Sequence, residues 1–381
     1  MTNKRILFCR SNPIAPDPRV EKEARSLANA GYQVRILGWD RTGRLPHKEE
    51  VEGFTIQRLS IKASFGKGMM NLPQLLRWQF GLGMWLVRHH KEFDVIHACD
   101  FDTLIPASIC KILWGKKVVY DIFDFYADHL RSTPNFIKSM IKSVDLKMID
   151  QVDAVILADE VRQQQIAKTH PKKIVIIYNS PLDVLPSLNA LQTTRRHHDL
   201  EIAYIGLLQV ERGLLELLEV LKNHPEWTLL LAGFGGDEKR ILEAAESLSN
   251  VFWFGRVSYE RALQLSYDAD VLIATYDPAI PNHRFSSPNK LFEAMMLGKP
   301  IIVAQGTNMD SIVEQLDCGV VVEYGDVRAL EETLERMQFN PQFSKQLGLN
   351  ARHAYEQIFN WTRMEERLIK LYQNISPIVN D

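Results

Sequence analysis

Ser287, Asn289, Lys290 and Glu293 fall within one short stretch, Ser287-Pro288-Asn289-Lys290-Leu291-Phe292-Glu293-Ala294-Met295-Met296-Leu297-Gly298-Lys299-Pro300, ahead of the apolar run Ile301-Ile302-Val303-Ala304. The pattern predicts loop, helix, turn and buried strand. Pro288 suits the first helical turn, where a missing N–H costs nothing, and Ser287 is expected as the N-cap. Gly298 ends the helix and Pro300 blocks its continuation. A helix start leaves backbone N–H groups unpaired and carries roughly half a positive charge, so phosphate is a fitting ligand there, and Lys290 would add a full charge. Glu293, one turn deeper, can accept hydrogen bonds from a pair of sugar hydroxyls. Phosphate plus diol points to a nucleotide. Taken alone, the same residues also suit an ordinary helix with a solvated lysine and glutamate.

Other segments could join such a site. Gly206-Leu207-Leu208-Gln209-Val210-Glu211-Arg212-Gly213 lies between a strand and a helix, where Arg212 can reach a diphosphate and the glycines admit close backbone approach; a solvated Arg212 at a helix start is the alternative. Gly233-Phe234-Gly235-Gly236 is a second strand-to-helix glycine turn, weak evidence by itself. His97 closes the strand Asp94-Val95-Ile96-His97, with Asp100 and Asp102 just beyond, and Asp121 and Asp124 sit at the end of another strand. Strand carboxyl ends are where open α/β sheets bind ligands, and an acceptor hydroxyl needs a carboxylate or imidazole within reach. A structural histidine fits equally well.

The run from Pro288 to Val303 resembles the donor-binding helix of retaining glycosyltransferases of the GT-B fold, glycosyltransferase family 4 and its relatives. The resemblance spans nearly the whole chain and implies a nucleotide-diphosphate-sugar donor. Its diphosphate would lie at the helix start (Ser286, Ser287, Asn289, Lys290, Leu291), with Glu293 on the ribose, Gly206, Arg212, Gly233 and Gly235 around the phosphates, and Arg256 and Val257 beside the base. Where the family shows a glycine-arginine pair and then lysine-glycine, this chain has Leu207 and Arg212, leaving Lys290 as the substitute cation. The family's first catalytic glutamate, eight residues before Glu293, is replaced by Phe285, with Arg284 among the nearby polar residues, and Phe123 stands where relatives carry histidine. The catalytic set implied here is Asp121, Asp124, His97, Arg212 and Lys290, with Asp17 and Arg19 facing the acceptor. Retention with the leaving phosphate assisting the acceptor hydroxyl requires no metal, and none is expected, nor any other cofactor. The acceptor is expected to be a glycan or a lipid-linked saccharide of surface polysaccharide or glycoconjugate synthesis. A nucleotide-sugar epimerase and a non-catalytic nucleotide-sugar-binding subunit are the alternative functions.

The elements that must position these residues alternate strand and helix, which predicts an α/β chain of two Rossmann-like, doubly wound domains facing a central cleft. Expected boundaries are 1–178 for an acceptor domain, 179–199 for a linker, 200–358 for a donor domain, and 359–381 for a helix that the resemblance returns to the first domain. A 381-residue chain supports two cores. A net charge of −2 gives no global attraction to nucleic acid, and none is expected as a partner. Four scattered cysteines, none in a CxxC pair, suggest reduced buried thiols and a cytoplasmic protein, placed by its acceptor at the inner face of the membrane. No apolar window is long enough to span a bilayer, and the N-terminal apolar run is too short for a signal peptide. Residues 62–91 interleave Lys62, Lys67, Arg77, Arg88 and Lys91 with apolar residues including Phe65, Met69, Met70, Trp78 and Trp85, so peripheral membrane contact through the two tryptophans is expected.

Overall fold

The computed structural model describes residues 4–63, 72–129, 133–189 and 200–377. Residues 190–199 of the expected linker, and Phe65, Lys67, Met69 and Met70 of the basic apolar stretch, lie outside them. The chain forms two compact units, Met1–Tyr178 with Met364–Asp381, and Asn179–Arg363.

The first unit contains β1 (Arg5–Arg10), β2 (Gln33–Asp40), β3 (Lys48–Val51), β4 (Phe54–Ser60), β5 (Val95–Cys99), β6 (Lys117–Ile122), β7 (Ala154–Leu157) and β8 (Ile174–Ile176). Its sheet runs β3-β4-β2-β1-β5-β6-β7-β8, parallel except for the β3–β4 hairpin. The interior of β1 and all of β5 and β7 are buried, as expected of parallel strands covered on both faces. Right-handed crossovers put the helices Leu72–Arg88, Phe101–Trp114 and Asn135–Ile149 on one face and Pro18–Asn29 on the other. Trp78, Leu82, Leu104, Ala107 and Ile149 accordingly share one core with Leu7, Ile96 and Tyr120.

The second unit carries β9 (Leu200–Leu207), β10 (Trp227–Phe234), β11 (Val251–Trp253), β12 (Val271–Ala274), β13 (Ile301–Ala304) and β14 (Gly319–Val322), all parallel in the order β11-β10-β9-β12-β13-β14. The expected loose linker does not begin at Asn179. Asp183 is clamped by Arg352 at 2.6 and 3.0 Å, and Pro181 O accepts from the Tyr355 hydroxyl, so this segment packs on the second unit.

The last helix, Trp361–Ile375, buries Trp361, Met364, Leu368 and Leu371, the stripe its spacing predicts, together with Tyr372. From Met364 onward it belongs to the first unit, where Arg367 donates to Ile176 O at 3.1 Å.

The tryptophans of the helix Leu72–Arg88 do not take the part expected of them in membrane contact. Trp78 is fully buried and stacks on Trp39 (centroids 5.2 Å apart, planes 6° from parallel), and Trp85 is 7% exposed. On this helix the two indole rings provide the volume that fills the space over the sheet, so they face the core. No helix among the described residues is long and apolar enough to cross a membrane. Trp78→Ala should lower stability by about 3–5 kcal/mol, the range for emptying a buried aromatic site, in urea denaturation; a loss under about 1 kcal/mol would place the ring outside the core.

Candidate functional site

In the second sheet, β9 is flanked by β10 and β12, so the loops leaving β9 and β12 diverge and open a crevice at their carboxyl ends. The backbone is tight there. A Cβ on Gly233 would lie 1.7 Å from Gly206 O, and one on Gly213 would lie 2.1 Å from Thr275 Oγ1, with φ at 144° and 70°. No side chain fits at either position. Gly206 itself borders the Lys290 ammonium, and Gly235 packs against Leu208 O.

Lys290 sits in the first turn of the helix Asn289–Leu297 and is 7% exposed. Its Nζ donates to Ile273 O at 3.2 Å and lies 3.5 Å from the centroid of the Tyr204 ring. It forms no ion pair among the described residues. Burial, followed by the nearby Arg212 charge, holds its pKa well below the ordinary lysine value, with Glu293 opposing the shift. Arg212 lays its guanidinium over the Tyr276 ring at 3.9 Å, and its Nε is buried without a hydrogen-bond partner. Two cations thus converge, each faced by an aromatic ring rather than a carboxylate. Glu293, half-buried one turn deeper, accepts a hydrogen bond from Tyr259, whose hydroxyl is pushed up by burial and then by the Glu293 charge. Arg256 stacks over Phe234, 4.6 Å from its centroid, where β10 and β11 end, with Val257 beside it.

The helix start differs in detail from the sequence reading. Pro288, with extended backbone, is the N-cap residue and makes no side-chain cap bond; Ser287 instead accepts from Asn308 Nδ2 at 3.0 Å, joining this helix to the start of the helix Asn308–Leu316. Asn289 is exposed, Leu291 is buried in the core, and the Ser286 backbone N–H bonds His283 O. Phe285 closes a short turn, His283–Phe285, and Arg284 donates to Pro278 O at 3.0 Å. Tyr204, Tyr276 and Tyr259 were missing from the sequence reading. Tyr276 alone carried a signal, standing two residues beyond β12 at the strand end.

In the first unit the expected catalytic and acceptor-facing residues form a buried polar core. Asp121 and His97 are wholly buried. Arg19 Nη2 meets Asp121 Oδ1 at 2.8 Å, and Arg19 Nε approaches Glu23 Oε1 at 3.1 Å. His97 lies between Asp121 (Nε2 to Oδ2, 3.3 Å) and the Tyr372 hydroxyl (Nδ1, 2.7 Å), stacked on Phe8 at 4.1 Å. Burial lowers the His97 pKa and raises that of Glu23, which the Asp121 charge raises further. A neutral His97 donating from Nε2 to Asp121 and accepting at Nδ1 from Tyr372 satisfies the network. Arg19 is thus an internal counter-ion to Asp121 and Glu23, and His97 is buried in the same network, because a buried arginine needs carboxylates around it.

Asp17 caps the helix Pro18–Asn29, accepting from Val20 N and Arg10 Nε, and Asp124 pairs with Arg162 at 2.6 Å. Glu23, His97 and Asp121 place ligand atoms within 4.8 Å of one another, a grouping the sequence did not single out. Arg19 pairs with both carboxylates of this group. Arg10, also missed, ends β1, pairs with Asp100 and lies 4.2 Å over the ring of Phe123. Phe123 thereby serves as a platform for Arg10 and Arg19, a role histidine would fill poorly beside two guanidinium groups.

Two doubly wound sheets, the second with paired cations at its switch point, define the class: a GT-B glycosyltransferase fold. Residues 19–180 match the family model described as Glycosyltransferase Family 4, and residues 191–354 the one described as Glycosyl transferases group 1. The D-inositol 3-phosphate glycosyltransferase of Corynebacterium diphtheriae is 22% identical, over 92% of this chain and 87% of its own length. The putative glycosyltransferase YtcC of Bacillus subtilis is 22% identical over 62% of this chain and 64% of its own. Sucrose-phosphate synthase of Thermosynechococcus elongatus superposes with a TM-score of 0.77 at 16% identity, covering 98% of this chain and 99% of that one. Anabaena HepE, solved with UDP and glucose, gives 0.72 at 16% identity over 99% of this chain and 100% of that one. The chain belongs to the glycosyltransferases of GT-B fold, in the family 4-like group.

Arg19→Met should cost about 3–5 kcal/mol of stability, because it leaves Asp121 buried without its counter-ion, whereas Glu23→Gln, which keeps the shape of a side chain whose pKa burial raises, should cost less. Equal losses for the two variants in chemical denaturation would contradict this charge assignment.

Proposed function

We propose that the protein transfers a sugar, with retention at the anomeric carbon, from a nucleotide-diphosphate-sugar to a glycan or lipid-linked acceptor in surface polysaccharide or glycoconjugate synthesis. One observation carries the reading. Lys290 is a buried lysine with no ion pair among the described residues, beside Arg212 and in the first turn of a helix. Such a place favours an anion, and a diphosphate brings two negative phosphoryl groups to it.

The chemistry follows from that docking. As the bond between the anomeric carbon and the diphosphate oxygen breaks, negative charge grows on the leaving group. Lys290, Arg212 and the helix start face that charge from fixed positions, so they stabilise the transition state more than the ground state. The acceptor oxygen bonds to the anomeric carbon on the same face, and its proton passes to a departing phosphate oxygen. No carboxylate at position 285 is needed for that transfer, and leaving-group stabilisation is assigned to protein cations rather than to a metal ion.

Glu293 would hold the ribose hydroxyls, held in turn by Tyr259. Arg256 and Val257 would border the base. The UDP and UDP-glucose complexes of HepE support a nucleotide-sugar donor by analogy of fold. Four buried free cysteines support a cytoplasmic setting, with the acceptor met at the inner face of the membrane.

Calorimetric titration with a panel of nucleotide sugars tests the donor site. Lys290→Met and Glu293→Ala should each weaken the best donor at least about tenfold, the scale of a lost charge-assisted hydrogen bond. A variant that binds as tightly as the parent removes that residue from the site, and two such variants remove the site. Slow donor hydrolysis without acceptor supports the enzyme; binding with no turnover under any acceptor pool contradicts transfer.

A further inference from the structure

Two histidines of this chain face different partners. His97 has a carboxylate at one ring nitrogen and a hydroxyl at the other, a pair that a neutral ring satisfies by donating once and accepting once. His224 has two carboxylates: Nδ1 lies 3.0 Å from Glu226 Oε1, and Nε2 lies 2.9 Å from Glu331 Oε1. An ionised carboxylate only accepts, so both contacts are hydrogen bonds only when both ring nitrogens carry hydrogen, which makes the ring an imidazolium. The surroundings favour that charge. His224 is the C-cap residue of the helix Leu214–Asn223, where the last carbonyls present the negative end of the helix dipole. Its ring stacks on the indole of the buried Trp227, with centroids 3.7 Å apart and planes 6° from parallel. Partial burial works against the charge, but the hydrogen bonds to Glu226 and Glu331 outweigh it and raise the His224 pKa above the ordinary histidine value.

The two carboxylates come from different elements. Glu226 stands in the turn that enters β10, and Glu331 lies on the helix Val327–Phe339, where it also accepts from Asn223 Nδ2 at 3.4 Å. The His224 carbonyl is fixed by Trp227 N and by Asn250 Nδ2, and Trp227 Nε1 donates at 3.0 Å to Gln338 on that same helix. Lys222, on the preceding helix, is engaged with Glu219. We infer that His224 is a proton-operated staple. Protonated, it binds the helix Val327–Phe339 to the turn before β10; when a ring proton passes to solvent, a nitrogen lone pair is set against a carboxylate and one side of the link is released. The folded-state pKa lies above that of an unfolded histidine, about 6.5, so the contribution to stability is complete below that value and is lost as pH rises through the folded-state one. The staple precedes β10, at the amino ends of the strands, whereas the crevice lies at their carboxyl ends, and the inference does not depend on the donor assignment.

Nuclear magnetic resonance of the histidine ring nitrogens in the full chain tests the protonation directly, with His224→Gln assigning the signals. At neutral pH both His224 nitrogens should show the shifts of a protonated imidazolium, and the titration midpoint should lie above that of a histidine in an unstructured peptide. Glu226→Gln and Glu331→Gln should each lower that midpoint. Amide hydrogen exchange in the helix Val327–Phe339, compared at equal pH, reads the staple itself. His224→Gln should exchange about fivefold faster than the parent below the midpoint, and the two should converge above it. Should His224→Gln fail to fold, Glu331→Gln, at a partly exposed side chain, takes its place in the exchange comparison. A neutral His224 ring at neutral pH overturns the inference, as does a midpoint that neither glutamine substitution moves. An exchange difference that persists unchanged across the titration would give His224 a packing role alone and overturn it equally.

Discussion

A lysine taken out of water with no ion pair among the described residues is the constraint on which the second unit turns. Lys290 answers it in part with a backbone carbonyl and the face of Tyr204, and Arg212 does the same with Tyr276. Aromatic faces steady a cation without neutralising it. The crevice therefore keeps a positive field that a surrounding set of carboxylates would cancel. Gly233 and Gly213 serve that arrangement, since a side chain at either would force apart the loops that bring the two cations together.

The first unit handles buried charge in the opposite way. Arg19 is enclosed by Asp121 and Glu23, and His97 extends the network to Tyr372 on the returning helix. Here the charges cancel internally, and the network ties together β5, β6, the helix Pro18–Asn29 and the final helix. Polar residues at strand ends thus balance one another in one sheet, whereas in the other Lys290 and Arg212 face aromatic rings. Burial alone does not tell the two uses apart; what separates them is whether a counter-charge is already in place.

Much of this was legible in the sequence. Uninterrupted apolar runs such as Ile301-Ile302-Val303-Ala304 can only be parallel strands covered on both sides, and Gly298 takes up the left-handed conformation (φ 65°) that ends the donor-side helix. The stripe of the final helix was equally plain. The strand Lys48–Val51 was not, because Lys-Glu-Glu-Val has no apolar alternation and is set by its antiparallel partner alone. Nor could spacing show which way Trp78 points, since the helix around it is apolar on most of its circumference. Asp121 and His97 were seen as site residues for their place at strand ends and Arg19 through the family resemblance, but only coordinates reveal that they satisfy one another. Tyr204 and Tyr276 read as ordinary strand aromatics until the cations they face are located.

The measurement that bears most directly on Lys290 is the proton balance of donor binding. Burial keeps the lysine pKa low in the free protein, and a bound diphosphate would raise it, so the complex holds more protons than its parts and affinity falls as pH rises through the bound-state value. Calorimetry with a nucleotide sugar at mildly alkaline pH, in buffers of differing ionisation enthalpy, is expected to show net proton uptake in the parent and none in Lys290→Met. Binding without proton uptake in the parent, or uptake that persists in the variant, would contradict a diphosphate seated on Lys290.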